Sequence, residues 1–119
     1  MKQKNIENLN TLLDMLAKGE FLEGMDRFFH DDVEIQEVGQ EPKRGKAHCI
    51  EVEEEILKGV SEFIQYTAHS TGAGGDTTFY EATMEFKTTD GQHVRQKQAV
   101  VTDWSGGKII RERYYHSNV

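Results

Sequence analysis

The chain has 119 residues and a formal net charge of −7, and this length suits a single domain with one core and room for one pocket. The acidic balance argues against nucleic acid and anionic membrane surfaces as partners, because binding phosphate requires a concentrated basic patch. The single cysteine, Cys49, excludes an internal disulfide and favours a reducing, cytoplasmic setting.

Two helices are predicted in the first 30 residues. The leucines of the first helix recur at helical spacing, at Leu9, Leu12, Leu13 and Leu16. Gly19 supplies a stop signal. The second, shorter helix carries an apolar stripe of Phe21, Leu22, Met25, Phe28 and Phe29.

A strand and a third helix follow. The segment "DDVEIQEVG" alternates Val33 and Ile35 with polar residues, which is typical of a strand. The nearest approach to a basic cluster comes next (Lys43, Arg44 and Lys46), and it is expected to be a solvated loop. The third helix is predicted to run to about Gly59, with an inner stripe of Cys49, Val52, Ile56 and Val60.

From Ser61 onward the pattern predicts four antiparallel strands. Asp90-Gly91 and Gly106-Gly107 are signals for two-residue hairpin turns between the last three of them. Such turns would place Ala82 opposite Ala99 and Ala99 opposite Tyr114. Lys97 would then lie opposite His116.

Residues that are directly opposed across a ladder share a face of the sheet. The predicted inner face, which is the apolar one, collects Tyr80, Ala82, Met84, Phe86, Ala99, Val101, Ile110, Glu112, Tyr114 and His116. Arg111, Arg113, Val100 and Trp104 fall on the predicted outer face, where Trp104 suits a dimer contact. A one-residue slip in either turn would reverse the assignment.

The order of these elements resembles the nuclear-transport-factor-2-like superfamily, and most of all its SnoaL-like proteins and ketosteroid isomerases. The resemblance rests on "LLDMLAKGEFLEGMDRFFHDDVEIQE", "PKRGKAHCIEVEEEI" and "VVTDWSGGKIIRERYYHS". It implies one SnoaL-like domain over residues 1–119 with an α+β, cystatin-like cone. Three helices would pack on a curved, mostly antiparallel sheet around one deep pocket, and the outer sheet face would form a homodimer.

The resemblance also suggests positions for catalysis. The proton-shuttling carboxylate of the isomerases corresponds to Glu37. Their oxyanion tyrosine and aspartic acid fall at Leu12 and Ala99, so both donors are missing at those positions. The aspartate that SnoaL-like cyclases use on the last strand corresponds to Tyr114.

The predicted catalytic residues are Glu37, Tyr114 and His116. A carboxylate facing apolar groups would have a raised pKa and could shuttle a proton near neutral pH. Alternatively, Glu37 lies in water or pairs with Lys97 or an arginine. Lys97 and Glu112 would then neutralise each other across the strands, and His116 would be a solvated residue near the chain end. The predicted ligand-binding residues are Tyr66, Tyr80, Met84, Phe86, Lys97 and Glu112.

These residues predict a protein that binds a small, mainly apolar, oxygen-bearing molecule. It would be a cofactor-free isomerase, cyclase or lyase, or alternatively a non-catalytic ligand-binding or dimeric interaction protein. The five histidines show no ligand spacing, so neither a metal nor a cofactor is expected. No stretch approaches the ~20 apolar residues of a membrane span.

Overall fold

A computed structural model describes residues 2–118, and Met1 and Val119, the two ends of the predicted domain, lie outside the described residues. Three helices and six strands follow in chain order as α1 (Lys2–Ala17), α2 (Phe21–Phe28), β1 (Phe29–Glu37), β2 (Lys43–Arg44), α3 (Lys46–Lys58), β3 (Val60–Gly74), β4 (Thr77–Thr88), β5 (His93–Ser105) and β6 (Lys108–Asn118). The α+β class agrees with the prediction.

All six strands form one sheet in the order β2-β1-β6-β5-β4-β3. Every neighbouring pair is antiparallel except β1 and β6, which are parallel. The expected solvated loop at Lys43 and Arg44 is instead the short strand β2, which pairs with Glu34 and Ile35 of β1. The sheet is therefore mixed but mostly antiparallel.

The helices cover one face of this sheet and bury their leucine and phenylalanine side chains against it. Gly24 allows α2 to approach α1 closely, because a Cβ atom at this position would lie 2.9 Å from Cδ1 of Leu12. Phe21 of α2 meets Phe63 of β3 edge to face, with ring centroids 5.4 Å apart. Within residues 2–118, no helix combines the length and the apolar character needed to cross a membrane.

The hairpin between β4 and β5 has a three-residue loop rather than the predicted two. Thr88 lies opposite Gln92, with a backbone hydrogen bond of 2.9 Å, so the loop consists of Thr89, Asp90 and Gly91. Gly91 has φ +89°, which is the left-handed conformation that such loops require. Ala82 consequently pairs with Gln98 and not with Ala99.

The hairpin between β5 and β6 does turn on Gly106-Gly107, as predicted, with Ser105 opposite Lys108. An irregularity between Asp103 and Trp104 then shifts the register by one residue. A β-bulge of this kind sets two residues of one strand against one of its partner. The pairing beyond it is Thr102 with Glu112 and Val100 with Tyr114.

These two shifts reverse the predicted faces of β5 and leave those of β6 unchanged beyond the bulge. Before the bulge, Ile109 is fully buried opposite Trp104, so the prediction of Ile110 on the inner face is wrong. The inner face of β5 carries Gln98 and Val100, whereas Lys97 and Ala99 point to the outer face. The predicted inward orientation of β6 is confirmed for Glu112 and Tyr114 because the two one-residue shifts cancel.

Trp104 lies in the core and not at an outer contact surface. Its side chain is only 4% exposed, and its ring meets Phe28 edge to face at 6.1 Å. The indole N–H donates to Oγ1 of Thr78 at 2.9 Å. The interpretation of Trp104 as a dimer contact is therefore wrong, since the β5 strand faces the other way.

Candidate active site

A cavity of about 470 Å³ lies between the helices and the inner face of the sheet. Its volume falls within the range of small-molecule sites, roughly 300–1,000 Å³. The wall is predominantly apolar, with contributions from the following side chains: Phe21, Met25, Ile35, Phe63, Met84 and Phe86. A few polar groups converge on this apolar space, and they determine what chemistry it can support.

Glu112 of β6 is the most deeply buried carboxyl group in the cavity wall, at 2% exposure. The Tyr114 hydroxyl donates a hydrogen bond to its Oε1, and the Thr102 hydroxyl donates to its Oε2 at 3.3 Å. Burial raises the pKa of Glu112 to about 7, although the two hydroxyl donors lower it and the charge of Glu37 adds to the increase. This carboxyl group can therefore both give and take a proton near neutral pH.

Glu37 ends β1 next to Tyr114, its partner in the parallel pairing of β1 and β6. Its Oε2 atom is buried and has no hydrogen-bond partner among the described residues. Nε2 of His116 lies 3.7 Å from that oxygen, and Nδ1 of His116 is 3.2 Å from the Gln96 amide nitrogen. Glu37 lines the cavity, whereas His116 contacts Glu37 from a position that does not line it.

Glu53 of α3 is a second carboxyl group in the cavity wall with an unusual pKa. Burial and the charge of Glu37 raise this pKa to about 7, and the Lys43 ammonium opposes the increase. Glu53 was not among the site residues predicted from the sequence. It could have been found from helical spacing, because Glu53 follows Cys49 by four residues and lies on the same side of the helix.

Tyr66, Tyr80 and Gln98 form a hydrogen-bonded chain on the part of the wall made by β3, β4 and β5. The Gln98 amide donates to the Tyr66 hydroxyl oxygen at 2.6 Å, and the two phenol oxygens are 3.1 Å apart. Burial raises the pKa of both phenols. Gln98 was missed because the predicted hairpin register placed it on the outer face.

The predicted ligand-binding residues that line the cavity are Tyr66, Tyr80, Met84, Phe86 and Glu112. Their roles stay predictions. Lys97 pairs with Thr83 on the outer face and is exposed, so its inward placement is wrong. The lysine in the cavity wall is Lys43 of β2.

Ala99 cannot be the counterpart of an oxyanion residue, because it faces outward and its inward neighbours are Gln98 and Val100. The absence of an aspartic acid at Ala99 therefore does not show that the cavity lacks an oxyanion donor. Leu12, the position matched to the oxyanion tyrosine, does line the cavity and offers no hydrogen bond. Among the described residues, no group of three His, Cys, Asp or Glu side chains is placed to hold a metal ion.

Helices on one face of a mostly antiparallel sheet, with a single-chain cavity between the layers, define a nuclear-transport-factor-2-like domain. Residues 9–112 match the model of the SnoaL-like domain, and the chain belongs to this family. No curated protein matches the chain at a significant level.

Solved structures with this fold carry different functional names. A protein from a Jannaschia species assigned as a SnoaL-like polyketide cyclase is 14% identical over 98% of this chain and 88% of its own, with a TM-score of 0.83. An epoxide hydrolase of Mycobacterium tuberculosis is 22% identical over 98% of this chain and 84% of its own, with a TM-score of 0.81. A nuclear-transport-factor-2-like protein of unknown function from Burkholderia pseudomallei is 12% identical over 96% and 91%, with a TM-score of 0.82. Such likeness shows the fold alone, and the chemistry has to be argued from the cavity.

Proposed function

We propose that this protein is a cofactor-free enzyme that transfers a proton within a small, mainly apolar, oxygen-bearing molecule, as an isomerase, cyclase or lyase does. The observation that carries the proposal is the presence of two carboxyl groups with pKa values of about 7, Glu53 and Glu112, in the wall of one apolar cavity. An acid–base group is most effective when its pKa is close to the working pH.

Glu37 is the proposed proton acceptor. Glu37 lines the cavity, and its Oε2 has no hydrogen-bond partner among the described residues, so this carboxylate is not committed to another group through that oxygen. The neighbouring His116, 3.7 Å away, would position the Glu37 carboxylate and stabilise its negative charge when the imidazole is protonated.

Glu112 and Tyr114 are proposed to return the proton. In the free protein the Tyr114 hydroxyl is committed to Glu112, so it cannot at the same time donate to a substrate. A relay resolves this: Tyr114 gives its proton to the substrate and recovers one from a protonated Glu112. Glu37 is then protonated and Glu112 ionised, and proton exchange with water restores both carboxyl groups for the next turnover. Because the pKa of Glu112 is about 7, both of its protonation states are populated near neutral pH.

The proposed reaction class can be tested without a known substrate, by following exchange of the hydrogens next to a carbonyl group. Cyclohexanone, 1-indanone and 2-tetralone would be incubated with the protein in D₂O, and loss of the α-proton signals followed by NMR. We expect exchange at least about 100-fold faster than in buffer, and most of that acceleration lost in Glu37→Gln, since general acid–base groups contribute about 10²–10⁴-fold. Exchange at the buffer rate with every ketone would contradict the proposal.

The second candidate is a non-catalytic binding protein. It is supported by the Glu112 carboxyl group, since both of its oxygens accept hydrogen bonds from Tyr114 and Thr102, as they would in a purely structural role. Saturable binding of the ketones, with exchange at the buffer rate in the wild type and in Glu37→Gln alike, would favour this candidate over the enzyme.

We also propose that two copies of the chain associate through the outer sheet face. An apolar patch made of Phe79, Ala99, Val101 and Tyr115, called the outer patch below, lies across β4, β5 and β6. Phe79 and Tyr115 are 44% and 48% exposed, which is high for large aromatic side chains. Exposed apolar groups that lie together favour an interaction surface.

A further inference from the structure

We propose that Tyr66 and Tyr80 together present one hydroxyl donor to an acceptor oxygen of the bound molecule, and that Gln98 is the positioning residue that keeps this donor available. The inference rests on the proposed function in one respect, namely that the cavity takes a small apolar molecule. It names the functional group by which that molecule is held: a carbonyl oxygen or another oxygen that accepts hydrogen bonds.

The hydrogen atoms of this network outnumber its hydrogen bonds. Two hydrogen bonds, which are called links below, join these three side chains. One runs from the Gln98 amide nitrogen to the Tyr66 hydroxyl at 2.6 Å, and the other joins the two phenol oxygens at 3.1 Å. Three hydrogens are available to these links: one amide N–H of Gln98 and one O–H on each phenol. Each link uses one hydrogen, so one phenol hydrogen is always left over.

Gln98 ensures that the leftover hydrogen belongs to a phenol. Its amide nitrogen can only donate, so the first link has a fixed direction and the Tyr66 O–H must point elsewhere. If Tyr66 donates to Tyr80, the Tyr80 O–H is spare. If Tyr80 donates to Tyr66, the Tyr66 O–H is spare.

The surroundings make this spare donor significant. Tyr66, Tyr80 and Gln98 are all buried, and all three line the cavity. Apart from the hydrogen bond between the two phenols themselves, no described residue accepts a hydrogen bond from either phenol. A buried donor without an acceptor is unfavourable, so an acceptor oxygen delivered by the ligand is stabilised there.

The position of the donor also limits the size of the ligand. Tyr80 pairs with Val100, and Val100 pairs with Tyr114, so Tyr80 and Tyr114 lie in one row across three strands. Two strand spacings separate their backbones by about 10 Å. The inferred ligand is therefore a molecule of two or three fused rings that lies between the phenol pair and the Glu112–Tyr114 pair, with its oxygen directed to the phenols.

The test uses two probes of the same shape, 9-fluorenone labelled with ¹³C at its carbonyl and fluorene, which has no oxygen. We expect the wild-type protein to bind fluorenone about tenfold more tightly than fluorene, the effect of one buried hydrogen bond. Isotope-edited infrared spectra of bound fluorenone should show the carbonyl band at lower frequency than in hexane. A band at the hexane frequency, or equal affinities for the two probes, would overturn the inference.

Gln98→Glu is the decisive variant because it is nearly isosteric and reverses the first link. An ionised carboxylate accepts the Tyr66 hydrogen, Tyr66 accepts the Tyr80 hydrogen, and no donor is left over. When the new carboxyl group is protonated, its O–H replaces the amide donor and the spare phenol hydrogen returns. The preference for fluorenone should therefore match the wild type at low pH and disappear as the pH rises.

The other ionisable side chains that line the cavity are Glu37, Lys43, Cys49, Glu53, Glu62, Glu112 and Tyr114, and His116 contacts Glu37. They are the same in both proteins, so the preference for fluorenone is compared with the wild type at each pH. A preference in Gln98→Glu that equals the wild-type value at pH 9 would contradict the positioning role. If Gln98→Glu does not fold, the double variant Tyr66→Phe/Tyr80→Phe replaces it, and the carbonyl band should move back toward its frequency in hexane.

Failure of the two proposals can be told apart. A shifted carbonyl band without any α-proton exchange would leave the phenol donor standing and refute the enzyme. α-Proton exchange with an unshifted carbonyl band would support the enzyme and refute the phenol donor. If neither probe binds at concentrations up to its solubility, the inferred ligand class is wrong.

Discussion

Asp103 and Glu112 lie on neighbouring strands of the same sheet, one on each face, and their surroundings are opposite. On the outer face, Asp103 accepts a hydrogen bond from Thr77 at 2.6 Å and pairs with Arg111 at 3.2 Å and Arg113 at 3.1 Å. On the inner face, the described partners of Glu112 are the hydroxyls of Tyr114 and Thr102.

The difference shows how one sheet gives the same functional group two roles. The outer carboxylate has cations beside it and water around it, so its ion pairs contribute only about 0–1 kcal/mol each. The inner one has no described cation in contact and little water, so burial raises its pKa to about 7. The inner face is therefore where proton transfer near neutral pH is expected.

The largest expected effect is on catalysis. Glu112→Gln should slow α-proton exchange by about 100-fold, because the relay through Tyr114 loses its proton source, while Asp103→Asn should leave the rate within about twofold of the wild type. The measurement is the NMR exchange assay in D₂O, with circular dichroism to establish that both variants are folded. Equal losses of exchange rate in the two variants would mean that the inner carboxyl group has no special role in proton transfer.

The next effect is on stability. A carboxyl group whose pKa is raised on folding binds its proton more tightly in the folded state, so it favours folding below its unfolded pKa and this contribution is lost as pH rises through its folded pKa. For Glu112 this pH window runs from 4.5, the ordinary pKa of a glutamate, to about 7, and the loss is roughly 3 kcal/mol in the free energy of unfolding.

Urea unfolding at pH 5, 6, 7 and 8 would measure this decline. Glu112→Gln should flatten it, and Asp103→Asn should leave it unchanged. Glu53 contributes in the same direction, so some decline should persist in Glu112→Gln. A wild-type protein that becomes more stable from pH 5 to pH 7 would contradict the raised pKa values.

A smaller effect is expected from Trp104→Phe, which tests the inner face of β5. The variant removes the indole N–H that Oγ1 of Thr78 accepts and leaves space beside Phe28. We expect a loss of about 1–3 kcal/mol in the free energy of unfolding, against less than about 0.5 kcal/mol for Tyr115→Phe on the outer face. Urea unfolding of the two variants provides the comparison, and similar losses would indicate that Trp104 is not a core residue.

The sequence predicted the helices and the inward face of β6, because hydrophobic spacing reports directly on burial. It could not predict the face of β5. Thr88 and Thr89 are chemically equivalent, so nothing in "TTDG" distinguishes a two-residue turn from a three-residue loop. The bulge beside Trp104 is equally hidden, since Ile109 and Ile110 suit either face.

For the candidate site, strand parity and resemblance pointed to Glu37, Glu112 and Tyr114, all of which line the cavity, and their roles stay predictions. The prediction from the sequence missed Gln98, because each β5 side chain was assigned to the wrong face. The role of Lys43 in the cavity wall was missed for another reason: it depends on a two-residue strand that no periodicity can reveal. Raised pKa values such as that of Glu53 depend on burial and on distances between elements, which are properties of the folded chain.

The smallest effect on folding, and a clear one on assembly, is expected at the outer patch. Phe79→Lys and Tyr115→Lys place charges in the proposed dimer contact, where burying an unpaired ammonium opposes association. Each should change the free energy of unfolding of the monomer by less than about 0.5 kcal/mol. Light scattering coupled to size exclusion should show a change from two chains to one.

Ile56→Lys is the matched control for assembly, because Ile56 lies on α3 at the cavity, over the opposite face of the sheet, and is 54% exposed despite its place on the predicted inner stripe. It should leave the molar mass at two chains. Dissociation by Ile56→Lys as well would show that added charge alone prevents association, and a wild-type protein of one chain mass would refute the dimer. The inner-face predictions would survive either result, because the whole cavity wall described above comes from a single chain.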